Sequence, residues 1–233
     1  DWSSDVCSSD LLMARELEAL ERARENPKEP LMILLGGAKI SDKIGLFDRL
    51  GQQAAYILVG GGMANTFLKA KGLEVGESLV EDEVLDEAER IIEQSGEKLV
   101  LPVDVVIADA FEPDAERQNV PVDQVPPEWR ILDIGTETLD LFTQRLRMAK
   151  MVIWNGPLGV FEMDPFARGT FAIARALADL GDAEVITGGG ETAAAVNEIG
   201  VVGKMTHVST GGGAFLTFME GEPLPGVEAL EDR

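Results

Sequence analysis

Six short apolar runs, most of them closed by glycine, aspartate or asparagine, alternate with stretches of helical period, and this alternation limits the fold more than any other feature of the chain. The runs are "LMILLG" (31–36), "AYILVG" (55–60), "KLVLPVDVVIAD" (98–109), "RILDIG" (130–135), "MVIWNG" (150–155) and "AEVITGGG" (183–190). Helical spacing of apolar residues marks 41–53, 81–95, 137–149, 167–180 and 191–199. Strand and helix taking turns builds βαβ units. The expectation is therefore an α/β fold, doubly wound, with a mainly parallel sheet and helices on both faces. No internal repeat and no low-complexity linker interrupts the pattern.

The glycines fall where the strand-like runs end: Gly36-Gly37, Gly60-Gly61-Gly62, Gly156, Gly188-Gly189-Gly190, and Gly211-Gly212-Gly213 after "THVST". Ligands of such sheets sit beyond the carboxyl ends of the strands. One glycine-rich turn is explained by the tight strand-to-helix connection alone. Five on one rim point to a ligand. Glycine lets the backbone approach a phosphate, and the helix N-terminus after it offers free N–H donors. "STGGGAFLTF" fits that description, with Ser209 or Thr210 as the cap of an apolar helix. Neither G-x-x-x-x-G-K-[ST] nor G-x-G-x-x-G occurs, so a Walker-type NTPase and a standard NAD fingerprint are not supported. Lys39 and Lys43 in "LLGGAKISDKIG" are four apart, which on a helix places them on one face, with Asp42 between them. A lysine pair is commonly a solvated face; at a helix start, however, the macrodipole disfavours cations unless an anion is present.

Charge narrows the ligand. The 233 residues carry a formal charge of −22, so nucleic acid and anionic membrane surfaces are repelled over most of the molecule. A phosphorylated small molecule remains compatible if its charge is met locally. A hydrophobic content of 45% is enough for a sizeable core. No apolar run approaches the roughly 20 residues that cross a bilayer, and no leader pattern opens the sequence, so the expected location is cytoplasmic. One cysteine, Cys7, and one histidine, His207, leave no intramolecular disulfide framework, no His-rich metal site and no convincing Ser/His/Asp set.

Residues 1–11, "DWSSDVCSSDL", share no apolar period with the residues after them and resemble a sequencing-adapter remnant; the other reading is a disordered native tail. They are set apart as a non-native or disordered tail. From Leu12 to about Arg24, apolar residues at helical spacing read as the end of an amphipathic helix.

In order along the chain, "LMARELEAL", "LLGGAKISDKIG", "VGGGMANTFLKA", "LPVDVVIADAF", "LDIGTET", "WNGPLGVFE", "GGGETAAAV", "HVSTGGGAFLTFMEG" and "LPGVEALEDR" resemble the second half of the phosphoglycerate kinase family. The resemblance covers residues 12–233 and implies the Rossmann-like, C-terminal nucleotide-binding domain, with 12–26 as the end of an inter-domain helix. It implies phosphoryl transfer between 1,3-bisphosphoglycerate and ADP, giving 3-phosphoglycerate and ATP. The whole enzyme is expected to be a monomer, and the N-terminal domain that holds 3-phosphoglycerate is the implied partner. Without that domain, the expected alternative is a nucleotide-binding module with no activity of its own.

By the same resemblance, Lys39 stabilises the phosphoryl group in flight and Lys43 holds the phosphates of ADP or ATP. Gly211, Gly212 and Gly213 meet the transferring group. Gly37 and Ala38 belong to the nucleotide site; Asn155, Gly156 and Pro157 shape its groove; Glu162 accepts from the ribose. Gly61, Gly62, Phe111, Ile131 and Leu132 surround the adenine, and Gly189, Gly190, Glu191 and Thr192 complete the set. Glu191 is the implied ligand of the Mg²⁺ cofactor, where the family usually has aspartate; the additional methylene moves its oxygens outward. Ile131 stands where glycine is common, and narrows the pocket if its side chain faces the base. Leu17, Leu20 and Val227 are expected to form apolar surface that the other domain covers.

Overall fold

The structure is a computed structural model and describes residues 20–209 and 211–221. The 1–11 tail, the beginning of the 12–26 helix, Leu17, Thr210, Val227 and "LPGVEALEDR" lie outside the described residues.

Residues 20–25 are helical, and after them the described residues form nine strands and seven α-helices. The strands are β1 (Leu31–Leu35), β2 (Tyr56–Val59), β3 (Leu99–Val100), β4 (Asp104–Ala108), β5 (Arg117–Pro121), β6 (Arg130–Ile134), β7 (Met151–Asn155), β8 (Glu184–Gly188) and β9 (His207–Ser209). The helices are α1 (Ile44–Leu50), α2 (Gly61–Ala70), α3 (Leu85–Ser95), α4 (Thr136–Leu146), α5 (Arg168–Ala178), α6 (Gly190–Glu198) and α7 (Gly212–Glu220). Six strands form one sheet in the order β3-β2-β1-β7-β8-β9, and every neighbouring pair is parallel.

Strand β1 shows why both faces must be covered, since all five of its residues are buried. Its side chains alternate between two cores. Leu31, Ile33 and Leu35 join Phe47 of α1, Phe67 of α2 and Phe215 of α7. Met32 and Leu34 join Phe142 of α4, Ile173 of α5 and Val196 of α6. The doubly wound expectation holds, and because all six strands run the same way, the five glycine clusters do share one rim.

The structure departs locally from the sequence reading. The run 98–109 is not one strand: Pro102, which has no N–H to give to a ladder, separates β3 at the edge of the large sheet from β4. Strand β4 is the centre of a second, antiparallel sheet of order β5-β4-β6. Strand β5, "RQNVP", is mostly exposed and polar, so no apolar alternation marks it. Helix α2 begins on Gly61 and Gly62, whose poor helix propensity hides it from a local reading. Leu20 is only 7% exposed and packs in the first core, so it is not the uncovered apolar surface expected of it. Its helical turn is fastened to α7 by Arg24, whose Nη1 donates to Phe218 O at 3.1 Å and whose guanidinium lies 4.5 Å from the Phe218 ring centroid. Among the described residues no helix is long and apolar enough to cross a membrane.

The small sheet is tied to α4 by Asp104. Gly135 precedes that helix and provides no side-chain cap. Asp104 Oδ1 instead accepts the Thr138 N–H at 2.7 Å, and Oδ2 accepts the Glu137 N–H at 3.1 Å and Asn119 Nδ2–H at 2.7 Å. Burial pushes the Asp104 carboxyl up, but the hydrogen bonds from Asn119, Thr138 and Glu137 outweigh it and hold the group below the usual aspartate range. A depressed folded value means that this carboxylate stabilises the fold fully above its unfolded pKa of about 3.9 and loses that contribution as pH falls through the folded value.

In urea titrations at neutral pH, Asp104→Ala should cost about 3 kcal/mol, because buried donors lose a charged acceptor. The acid limb of stability against pH should be shallower in this variant than in the parent; an unchanged limb would remove Asp104 from the explanation. Gly36→Ala and Gly156→Ala should each cost about 2–4 kcal/mol, since a Cβ would stand 2.1 Å from Pro157 O in the first and 2.4 Å from the Gly36 carbonyl carbon in the second. Gly203→Ala, which meets nothing within 4 Å, should stay within about 0.5 kcal/mol of the parent.

Candidate functional site

The chain leaves β1 toward β2 and β3, and leaves β7 toward β8 and β9, so the connections diverge at the β1/β7 pair. A crevice opens at such a switch point beyond the carboxyl ends of the strands. Here the two backbones interlock. Gly36 N–H donates to Asn155 O at 2.9 Å and Gly37 N–H to Pro157 O at 2.7 Å. Gly156 is held on both sides: its N–H donates to Thr192 Oγ1 at 2.8 Å and its carbonyl accepts from Trp154 Nε1 at 2.8 Å. Buried Asn155 spans to the next strand, Nδ2 donating to Gly188 O at 2.7 Å. On the other side, Gly61 N–H donates to Leu158 O at 2.9 Å and Met63 N–H to Gly37 O at 3.0 Å.

A cavity of about 480 Å³ lies against this junction. Gly37, Ala38, Gly61, Gly62 and Pro157 contribute to its lining, as do Phe111, Ile131 and Leu132 and the carboxylates of Glu162 and Glu191. Ten of the residues singled out in the sequence thus meet in one place. Ile131 packs its side chain with the cluster of Val105, Ile107 and Val125 in addition to bordering the cavity. Leu79, which no sequence motif singles out, is 59% exposed and Phe111 is 53% exposed, and both border the cavity. Solvated apolar side chains on a concave wall are what a flat apolar ligand would cover.

Asn155, Gly156, Gly189, Gly190, Thr192 and Gly211 to Gly213 do not line the cavity; they continue the rim beyond it. A Cβ on Gly212 would stand 3.5 Å from Gly189 Cα, and one on Gly213 would meet nothing within 4 Å. The first turn of α7 is therefore open beside the β8–α6 turn. Helix α7 is preceded by Gly211 and has no side-chain cap; Ser209 ends β9 instead of capping it.

The lysines do not share a helical face. Lys39 is exposed and precedes a 3-10 turn, Ser41–Lys43, and Lys43 is the residue that opens α1. The tighter turn breaks the period of 3.6 on which a four-residue spacing depends. Lys43 is 7% exposed, and its Nζ would lie 3.5 Å from a Cβ on Gly37. Burial lowers its pKa, opposed by the charges of Asp42, Glu191 and Glu81. Glu191, in the first turn of α6, is exposed on the cavity. Among the described residues no group of three or more His, Cys, Asp or Glu side chains could hold a metal ion.

A buried carboxyl also borders the cavity. Asp133 Oδ2 accepts the Gly169 N–H at 2.8 Å and Oδ1 the Ile134 N–H at 2.8 Å. Burial raises its pKa to about 7, against the hydrogen bonds of Gly169 and Ile134 and the charge of Arg168. A Cβ on Gly159 or on Gly169 would come within 2.3 Å of Oδ1, so both glycines make room for this group. The only sequence signal was an aspartate inside the apolar run "RILDIG".

Comparison with known proteins agrees with this fold. The phosphoglycerate kinase family profile matches residues 8–222. The phosphoglycerate kinase of Pelotomaculum thermopropionicum is 55% identical over 226 residues, which are 96% of this chain and 57% of that protein. That of Desulfosudis oleivorans is 50% identical over 229 residues, covering 97% of this chain and 58% of the relative. Among solved structures, phosphoglycerate kinase from Coxiella burnetii superposes with a TM-score of 0.90 at 44% identity, over 95% of this chain and 58% of that one. The enzyme from Pyrococcus horikoshii OT3 gives a TM-score of 0.83 at 33% identity, over 95% and 56%. The chain spans somewhat more than half the length of these relatives, and it belongs to the phosphoglycerate kinase family.

Proposed function

We propose that this chain forms the Mg-ADP and Mg-ATP site of a phosphoglycerate kinase, which moves a phosphoryl group between 1,3-bisphosphoglycerate and ADP in the cytoplasm. The observation that carries the reading is the cavity at the β1/β7 switch point, apolar on the wall that bears Phe111 and Leu79 and continuous with a glycine rim beside the Lys43 ammonium. A nucleotide has the same two halves. Its base is flat and weakly polar, and its phosphates need close backbone approach and local positive charge. Glu162, exposed at the cavity, is placed to accept from ribose hydroxyls.

Phosphoryl transfer asks the protein for position and charge neutralisation more than for covalent chemistry. Lys43 holds the ground-state phosphates, and the exposed Lys39 reaches the group in flight. The amides of Gly211, which precedes α7, and of Gly212 and Gly213 in its first turn are the donors to that group. Mg²⁺ suits this donor set: it commonly takes one or two protein carboxylates together with phosphates and water, and Glu191 is the carboxylate on the cavity. The ion supplies charge neutralisation between phosphate oxygens when bound. The acid substrate is left to a partner domain; this chain covers 57% of the Pelotomaculum thermopropionicum relative.

Titration calorimetry tests the reading. Mg-ADP should bind in the micromolar to millimolar range, about −4 to −8 kcal/mol, and 3-phosphoglycerate should give no comparable heat. Equal heats from the two ligands would sink the assignment. Lys43→Met, which keeps the packing of the stem and removes the ammonium, should weaken Mg-ADP by about tenfold or more, the scale of a charge-assisted hydrogen bond.

The two lysines should separate kinetically. In a whole enzyme made with the N-terminal part of a relative, Lys39→Ala should lower the single-turnover rate at saturating nucleotide by about 10²-fold or more, as expected for a contact made mainly in the transition state. A rate within about threefold of the parent, less than 1 kcal/mol of barrier, would return Lys39 to the solvated surface.

A further inference from the structure

Residues 38–43 leave β1 and enter α1 through a 3-10 turn, and they carry both lysines. The first amides of such a turn have no partner within it, and Ile40, which precedes the turn, provides no side-chain cap. The partner comes from 41 residues away: Glu81 Oε2 accepts the Ile40 N–H at 2.5 Å. The same oxygen takes the Ser41 N–H at 3.2 Å, and Oε1 takes the Ser41 hydroxyl at 2.6 Å. Glu81 is itself anchored, its N–H donating to Oγ1 of the buried Thr66 at 3.1 Å. Thr66 lies on α2, the helix whose first residues, Gly61 and Gly62, line the cavity. One carboxylate therefore joins the base-side wall to the segment that holds the lysines.

We propose that Glu81 is a positioning residue for the nucleotide's phosphate site, acting by fastening the backbone of Ile40 and Ser41 and so setting where Lys39 and Lys43 point. This role rests on the site being a nucleotide site. The geometry separates Glu81 from a simple surface acid. Three hydrogen bonds to one short segment, two of them from adjacent amides, leave that segment little freedom next to the exposed Lys39. The neighbouring Asp82 is engaged elsewhere, with Lys69 Nζ at 2.7 Å, so the charges that act on Lys43 here are Asp42, Glu191 and Glu81 itself. Glu81 also occupies the donors at the entrance to the 3-10 turn before α1, and leaves the glycine turns to receive an anion.

The sign of the effect on affinity decides the matter. An acid beside a phosphate site repels the ligand, so on charge alone Glu81→Ala and Glu81→Gln would both tighten Mg-ADP binding. A fastening role requires the reverse. Calorimetry should show binding weakened about tenfold in Glu81→Ala and by an intermediate factor in Glu81→Gln, which keeps one acceptor oxygen. In a Lys43→Met background, Glu81→Ala should cost less than about threefold more, because it acts largely through that ammonium. Urea unfolding of each protein verifies that the folded chain is being titrated, and should Glu81→Ala fail to fold, Ser41→Ala should still weaken binding about threefold. Unchanged or tighter binding in the folded variants overturns the proposal, as does a full tenfold loss added to Lys43→Met. A parent chain that takes up no Mg-ADP overturns the nucleotide reading itself, an outcome distinct from variants that bind as the parent does.

Discussion

The approach of Gly36 to Gly156 and Pro157 is the contact on which the rest of the site depends. It occurs where the paths from β1 and β7 diverge, and leaves no room for a Cβ on either glycine. Because the two turns touch through backbone alone, Gly37 and Pro157 come together on the cavity lining and Lys43 can extend its ammonium over Gly37. Thr192 and Trp154 then hold Gly156 by its N–H and its carbonyl, which carries the geometry of β7 across to α6. Any side chain at this junction would part the central strands and the ligand surfaces together.

A second regularity lies in how the helix entrances are satisfied. Among the described helices none receives a side-chain hydrogen bond from its own capping residue. Carboxylates on other elements take over in three places. Asp104 serves α4, Asp133 accepts the Gly169 amide in the first turn of α5, and Glu81 serves the turn before α1. A local cap stabilises one helix, whereas a remote one also fixes that helix against the element that carries the carboxylate. The three ties join the small sheet, the cavity wall formed by the start of α2 and the lysine segment into one frame around the cavity.

The charge of −22 bears on function through this frame. A phosphate chain approaching an acidic protein needs its counter-charge concentrated. Burial of Lys43 does this at a cost, since desolvation disfavours the ammonium and the neighbouring carboxylates of Asp42, Glu191 and Glu81 restore it in part. Lys39, in the preceding segment, is exposed to solvent. The two lysines thus differ in setting, one buried and the other solvated.

Much of this was legible in the residues. The alternation of apolar runs with helical spacing determined the doubly wound sheet, because a strand buried on both faces and an amphipathic helix have different periods. The position of the glycines marked which end of the sheet carries the candidate site, since parallel strands put all their exits on one rim. What the linear order could not show depends on contacts between distant segments. Pro102 sends β4 into a second sheet, and that becomes visible only once β5 and β6 are there to pair with it. The spacing of Lys39 and Lys43 suggested one helical face; the tertiary structure decided otherwise, burying one lysine and exposing the other around a 3-10 turn. Asp133, Asp104 and Glu81 read locally as ordinary acids, and they acquire their roles from amides that lie up to 41 residues away. Periodicity is a property of neighbours in sequence, and so the sequence alone could specify the layers and the rim. The partners of a carboxylate are neighbours in space, so only the folded chain could specify them.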